Sequence, residues 1–286
     1  MANLRDIKRR VTSVKSTQKI TRAMKMVAAA KLRRSQEAVV RARPYAHRMR
    51  ELTAGVALRA EAGAHPLLSR TAQGDRVDVV IVTGDRGLCG AFNTNLVNEA
   101  MRLARERFAG DRVMFTAVGR KGRDLLRRRG CTLRASYTDV QERDPMEAAR
   151  EIIGGIADEF AKGGTREVYC LYNEFKSAIS QRVTLERLLP VESEPAPEGA
   201  TPLDYTYEPD AEAVFEALLM WNLTVQMHRV LLESAASEQG ARMTAMDSAT
   251  KNAGDMISEL TLLYNRARQD AITKELIEVV SGAEAL

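Results

Sequence analysis

The chain has 286 residues, 45% hydrophobic and 28% charged, with 43 Lys+Arg against 38 Asp+Glu and a net charge of +5. That arithmetic excludes a disordered chain and suits one large or two modest domains. Three scattered Cys (Cys89, Cys131, Cys170) and three isolated His (His47, His65, His228) exclude a disulfide framework and most zinc sites, and unpaired thiols fit a reducing compartment. The longest apolar runs, such as Met26 to Ala30, are about five residues, too short to cross a bilayer, and no signal-peptide core follows the start.

The charge is uneven. Residues 1–60 hold 16 Lys+Arg against three acids, Asp6, Glu37 and Glu51, a net of +13, while the rest of the chain nets −8. Such a basic arm suits nucleic acid, a membrane surface, an acidic protein partner or simply a solvated helix face. It resembles a mitochondrial transit peptide only superficially, because its helical pattern continues for many turns. Leu4, Ile7, Val11 and Val14 have the three-four spacing of a coiled-coil seam. The strict register then places Gln18, Thr21, Lys25 and Ala28, and apolar residues shift to Ile20, Met24 and Val27 before returning at Leu32 and Val39. This predicts a weakened stripe, a helix to about Arg43, a kink or pause at Pro44 and more helix from Tyr45 to Ala60.

After a linker over 61–76, the pattern changes. Val77 to Val82 reads as a buried strand ending at Gly84. Leu96 to Phe108 has helical spacing, Val113 to Val118 reads as a strand, Gly119 to Arg129 as a short helix and Cys131 to Tyr137 as a weaker strand. Asp144-Pro145-Met146-Glu147 is a helix start, with Ala149, Ile152, Ile153, Ile156 and Phe160 as its apolar face. Val168 to Tyr172 is another strand, and Val183 to Leu189 an antiparallel edge strand. Alternating units predict an α/β domain over 77–190 with a mostly parallel sheet covered on both faces. Five of the eight prolines fall between Pro190 and Pro209, a linker over 191–209. From 210 to 286 there is no proline. Met243, Met246, Thr250, Ala253, Ile257, Leu260, Tyr264, Ala267 and Ala271 keep a three-four seam. A helix of seventy-odd residues would reach roughly 110 Å. Its expected partner is the N-terminal helix over 1–60, antiparallel, with the small seam residues Ala253, Ala267 and Ala271 allowing close approach.

Chemistry is harder to find. The turn Gly84-Asp85-Arg86-Gly87-Leu88-Cys89-Gly90 fails the dinucleotide fingerprint, because Arg86 stands where a glycine is needed, and no GK[ST] makes it a phosphate loop. Glycine there reads as a tight turn. Cys89 has no His nearby in sequence, and Glu159 and Glu174 form no recognisable catalytic pair. No cofactor, metal or catalytic residue is expected. The basic arm has no aromatic before Tyr45 to stack on bases. The residues at 24–32 suit a protein sleeve better than a membrane surface. Two other readings stay open at this level: a nucleotide-binding enzyme on the central sheet, and a basic coiled-coil protein that binds nucleic acid.

Three segments carry a resemblance. Ile20-Thr21-Arg22-Ala23-Met24-Lys25-Met26-Val27-Ala28-Ala29-Ala30-Lys31-Leu32-Arg33-Arg34, Ala236 to Met243, and Leu263-Tyr264-Asn265-Arg266-Ala267-Arg268-Gln269 with Ile272 to Glu278 resemble the gamma-subunit family of F-type ATP synthases. The turn at 84–90 is similar too. The resemblance implies an antiparallel coiled coil of the terminal helices plus a Rossmann-like central domain that binds no nucleotide. It implies a central rotor shaft, itself non-catalytic, inside a ring of alpha and beta subunits, its foot on the epsilon subunit and the c-subunit ring. No nucleic acid is implied, and membrane association comes only through the complex, on the cytoplasmic face of the cell inner membrane. Arg268, Gln269, Thr273 and Glu275 would face a loop of beta, with Arg242 supporting, and Met24, Lys25, Arg33 and Arg34 would approach its acidic lever. Tyr205, Tyr207 and Glu208 would touch epsilon and the c ring. Small side chains at Ala28 to Ala30 would form a sliding bearing.

Overall fold

The computed structural model describes residues 4–57, 67–68, 75–191, 208 and 210–284. Most of the expected linkers over 61–76 and 191–209 lie outside the described residues. In chain order come α1 (Leu4–Ala57), β1 (Arg76–Val82), α2 (Phe92–Glu106), β2 (Arg112–Val118) and α3 (Arg120–Arg128). Then follow β3 (Leu133–Tyr137), a single 3-10 turn (Val140–Glu142), α4 (Pro145–Ala161), β4 (Thr165–Phe175), β5 (Gln181–Leu189) and α5 (Ala211–Glu284). Two compact units emerge, one of Met1–Ala29 with Arg242–Leu286 and one of Ala30–Ala241.

In the first unit, the N-terminal part of α1 and the C-terminal part of α5 form an antiparallel pair. Thr250 Oγ1 donates to Thr21 Oγ1 at 2.8 Å, Gln18 Nε2 to the Thr250 carbonyl at 3.5 Å, and Lys25 Nζ to Asp247 at 2.6 Å. Residue numbers fall along one helix as they rise along the other, as antiparallel pairing requires. The seam keeps its strict spacing: Ile7, Thr21 and Ala28 are buried, and Leu4, Val11, Val14, Gln18 and Lys25 half-buried. The expected shift of the stripe is therefore corrected. Ile20 and Val27 are 59% and 56% exposed and point away from the seam, with Met24 half-buried between them. The polar residues hold the register because their side chains find partners across or along the seam. On α5 the predicted seam residues are the less exposed ones, from Met246 and Ala253, buried, to Ala267 and Ala271, half-buried.

Pro44 does not interrupt α1; helix continues on both sides of it to Ala57. Its ring lacks the N–H that would bond the Val40 carbonyl. Half a turn away the helix is held independently, since Gln226 Nε2 donates to the Ala46 carbonyl at 2.9 Å and Trp221 Nε1 to the Tyr45 hydroxyl at 2.7 Å.

The second unit is built on a five-stranded sheet of order β3-β2-β1-β4-β5, parallel except for β5. Side chains alternate across β1. Val77, Val79 and Ile81 join Leu96, Val97 and Ala100 of α2 and Leu126 of α3 on one face. Val80 and Val82 join Ile152, Ile153 and Phe160 of α4 and Leu223, Met227 and Val230 of α5 on the other. Both faces are thus covered, as parallel strands require. Phe108 lies past the end of α2 and Cys131 before β3, yet Phe108 is buried and Cys131 packs against the same cluster. The helix start at Asp144 is as read: its carboxylate accepts the Glu147 backbone N–H at 3.1 Å.

Two charged clusters hold the helices to the sheet. Glu233 on α5, 2% exposed, accepts from Arg43 Nε (2.9 Å) and Nη2 (3.1 Å) on α1 and from the Phe175 backbone N–H (2.9 Å) at the end of β4. Glu186 of β5 is bridged by Arg229 of α5 and Arg50 of α1 and accepts from the Tyr172 hydroxyl at 3.1 Å. Burial pushes the Glu186 carboxyl upward, but the Arg229 and Arg50 guanidiniums outweigh it and hold the group below its ordinary value of 4.5.

This packing has two measurable consequences. Ala28 is 1% exposed, so Ala28→Phe lowers the stability of the chain by roughly 1–3 kcal/mol through overpacking. Val27→Ala changes it by no more than about 0.5 kcal/mol. Urea midpoints compare the two, and the opposite ranking would move the seam to the Val27 face. For Glu186, a folded-state pKa below the unfolded one gives stability that is complete above pH 4.5 and lost as the pH falls below it. Glu186→Gln therefore lowers the urea midpoint at pH 7 and narrows the gap between midpoints at pH 7 and pH 4; an unchanged gap would contradict it.

Candidate functional site

In open α/β sheets, ligands bind at the carboxyl ends of the strands where the chain reverses direction, here between β1 and β4. In this chain α5 fills that crevice. Ser234 Oγ donates to the Val82 carbonyl at 3.3 Å, Ser237 Oγ to the Asn173 carbonyl at 2.9 Å, and Glu233 takes the Phe175 N–H. Glu238, 1% exposed, accepts from Gln141 Nε2 and lies against Gly84, where a Cβ would come within 2.5 Å of its Oε2. A side chain at Gly84 would therefore have to displace the Glu238 carboxylate. Its N–H is taken by Asn93 Oδ1 at 2.9 Å. Gly90, at φ 59°, supplies the unusual backbone angle that the turn needs. Cys89 is buried and receives Asn93 Nδ2 at 3.3 Å, so its thiol is a packing group. Glu159 pairs with Arg76, and Glu174 with Lys176 and Arg182, which leaves neither carboxylate set up for acid–base work.

Most of the remaining candidate residues lie on helical surfaces. Beyond Ala271 the cover on α5 ends, and every residue from Ile272 to Ser281 is exposed. Leu262, Leu263, Ile272, Leu276, Ile277, Val279 and Val280 are all large, apolar and exposed. Isolated exposed leucines are ordinary, but a contiguous set on one helix marks a binding surface. Seam periodicity does not register this set; the adjacent apolar pairs Leu262-Leu263, Leu276-Ile277 and Val279-Val280, which no single seam can bury, are the available signal in the sequence. No helix among the described residues is long and apolar enough to cross a membrane.

Within the first unit, Arg268, Gln269, Thr273 and Glu275 are brought together on this exposed stretch of α5. Lys25 sits in the seam with its ammonium on Asp247, whose carboxyl is held below its ordinary value by that hydrogen bond and charge. Met24 is half-buried beside it, and Arg242 is half-buried at the other end of the α5 stretch. Ala28 is buried in the seam and cannot be part of a sliding surface, whereas Ala29 and Ala30 are exposed. In the second unit, Arg33 and Arg34 are exposed on α1, with Arg33 contacting Glu37 at 3.4 Å. Glu208 is exposed, and Tyr205 and Tyr207 lie outside the described residues.

A family model described as ATP synthase matches residues 3–286. The chain is 48% identical to an ATP synthase gamma chain of Anaeromyxobacter sp. (strain Fw109-5) over 290 residues, covering all of both chains. It is 44% identical to that of Chlorobaculum parvum, covering all of this chain and 99% of the relative. Among solved structures, it is similar to a chain in the central stalk and c-ring of the Tetrahymena thermophila mitochondrial ATP synthase, with a TM-score of 0.64 and 29% identity over 80% of this chain and 99% of that one. A chain of the Euglena gracilis enzyme matches with a TM-score of 0.69 at 21% identity over 99% of this chain and 94% of that one, which speaks for the fold alone. Full-length identity near one half, together with paired terminal helices and a sheet whose ligand crevice is filled from within, places the chain in the ATP synthase gamma chain family.

Proposed function

We propose that this chain is the central rotor shaft of an F-type ATP synthase, turning inside a hexamer of alpha and beta subunits and coupling proton flow through the c ring to ATP synthesis or hydrolysis at beta. The chain contributes no catalytic group; the chemistry belongs to the beta subunits. Its epsilon and c-ring contacts involve Tyr205, Tyr207 and Glu208. The complex sits on the cytoplasmic face of the cell inner membrane, which this chain meets only through its partners.

The observation that carries the reading is the bare end of α5. Five large apolar side chains stand exposed there, with Leu262 and Leu263 shortly before it. Burying each stabilises by about 1.5–3 kcal/mol, so a protein sleeve around them gains on the order of 10 kcal/mol. That is comparable with the cost of association itself. Apolar contact is non-directional, so such a sleeve holds the helix without fixing its angle. Directional contacts then set the angle. Arg268, Gln269, Thr273 and Glu275 on α5 face a loop of one beta subunit, with Arg242 supporting. Met24, Lys25, Arg33 and Arg34 meet its acidic lever, where opposite charge steers register.

Coupling follows from asymmetry. Three beta subunits of one sequence adopt different states only if something touches them differently, because an equilibrium shifts by no more than the differential contact energy. One shaft with unlike faces makes three unlike sets of contacts. Rotation passes each set to the next beta subunit, and each site cycles through open and closed states. Torque needs a shaft that does not twist apart, and the ion-paired clamps at Glu233 and Glu186 join both helices to the sheet.

Purifying the native chain with its partners tests the reading: alpha, beta and epsilon in a three-three-one ratio, counted with one copy of this chain, support it, and recovery of the chain alone from intact membranes contradicts it. A second test addresses the bearing. Ala29 is exposed beside the seam, so Ala29→Trp is expected to block or uncouple rotation and reduce ATP-driven proton pumping by at least about tenfold, equivalent to about 1.4 kcal/mol on the limiting step. Pumping at the wild-type rate in assembled complexes would refute the bearing.

A further inference from the structure

α5 does not fill the whole carboxyl end of the sheet. Beside Glu238, inside the Ala30–Ala241 unit, a cavity of about 360 Å³ remains. Its size is at the lower end of the range for small-molecule sites. Val82 and Val118, at the ends of β1 and β2, Val140 and Leu231 give it mainly apolar walls. Gln239 also lines it. Lys31 and Arg34 of α1 stand at the rim, exposed, and neither forms an ion pair with a described residue. The one acid on the wall, Asp85, is already engaged, since its Oδ1 accepts the backbone N–H groups of Arg120 at 2.9 Å and Asp139 at 3.0 Å.

From these groups we propose that the cavity binds a small amphipathic anion, with an apolar ring body between the valines and a carboxylate or sulfonate on Lys31 and Arg34. Paired cations at the rim favour the anion through charge-assisted hydrogen bonds, and the apolar walls select against inorganic phosphate. The site is distinct from the exposed end of α5. Its occupant also competes for Arg34, one of the cations assigned above to beta.

Anilinonaphthalenesulfonate is a suitable probe, because it combines two apolar ring systems with a sulfonate. The full-length chain is titrated with the dye and followed by fluorescence, with circular dichroism confirming that each variant is folded. The bare end of α5 also attracts the dye, so Leu276→Gln with Ile277→Gln serves as the comparison. One saturable site is expected. Its affinity falls about tenfold or more in Lys31→Gln with Arg34→Gln, and it is unchanged in the Leu276→Gln, Ile277→Gln variant. The uncharged analogue N-phenyl-1-naphthylamine binds at least about tenfold more weakly than the sulfonate. Lys31 and Arg34 are exposed, so their variant keeps the fold. Absence of a saturable site, an affinity indifferent to Lys31 and Arg34, or a loss that follows Leu276 and Ile277 would each overturn the proposal. The free chain is the material throughout, so failure here leaves the rotor reading standing, and failure of co-purification leaves this site standing.

Discussion

A seam that keeps three-four spacing while accepting polar side chains is the constraint on which this molecule depends. An apolar residue at each of Gln18, Thr21 and Lys25 would bury more surface. The chain instead uses those positions for a threonine–threonine hydrogen bond, an amide on a backbone carbonyl and a lysine–aspartate pair. Polar groups at seam positions specify register, since a slip along either helix would leave them unpartnered. Fixing the register also fixes which side chains point outward. Ile20 and Val27 point outward because Thr21 and Ala28 are committed to the seam.

α5 plays two roles along one helix. Between Asn222 and Gly240 it is buried on almost every side, and its polar residues there serve as fasteners. Glu233 ties Arg43 to the end of β4, Ser234 and Ser237 cap strand carbonyls, and Glu238 presses against Gly84. A sheet of this order ordinarily offers that crevice to a ligand; here it grips a helix. In this arrangement Gly84 of the glycine-rich turn accommodates a side chain of its own chain. Past Ala271 the helix is exposed and keeps large apolar residues along one side. The sheet side is built to hold, and the far end is built to be held.

The sequence reading succeeds where one physical signal acts alone. Val77 to Val82 is a run dominated by β-branched residues, and Asp144-Pro145 combines a cap with a preset backbone angle; both become the elements expected. The α5 seam is equally legible, because Met246, Ala253 and Ile257 are apolar where the period demands it. The α1 seam is not, because hydrophobic periodicity registers Gln18, Thr21 and Lys25 as departures, and their partners are more than two hundred residues away. For the same reason Pro44 reads as a break, although tertiary contacts at Tyr45 and Ala46 carry the helix through it. The filling of the crevice by Glu238 has no local signature at all, since nothing in the sequence around Gly84 points to position 238. Of the contact residues, resemblance supplies the names, and the structure adds their surroundings: Lys25 is paired, Ala28 is buried, and Arg268, Gln269, Thr273 and Glu275 lie on the exposed stretch.

Disulfide trapping across the seam tests the central claim most directly. Thr21→Cys and Thr250→Cys face each other, so mild oxidation of the purified chain is expected to join them within one molecule at near-complete yield. Ile20→Cys with Thr250→Cys places one thiol on the outer surface and is expected to stay reduced under the same conditions. Equal cross-linking of both pairs, or none at Thr21 and Thr250, would show that the two ends of the chain do not meet in this register.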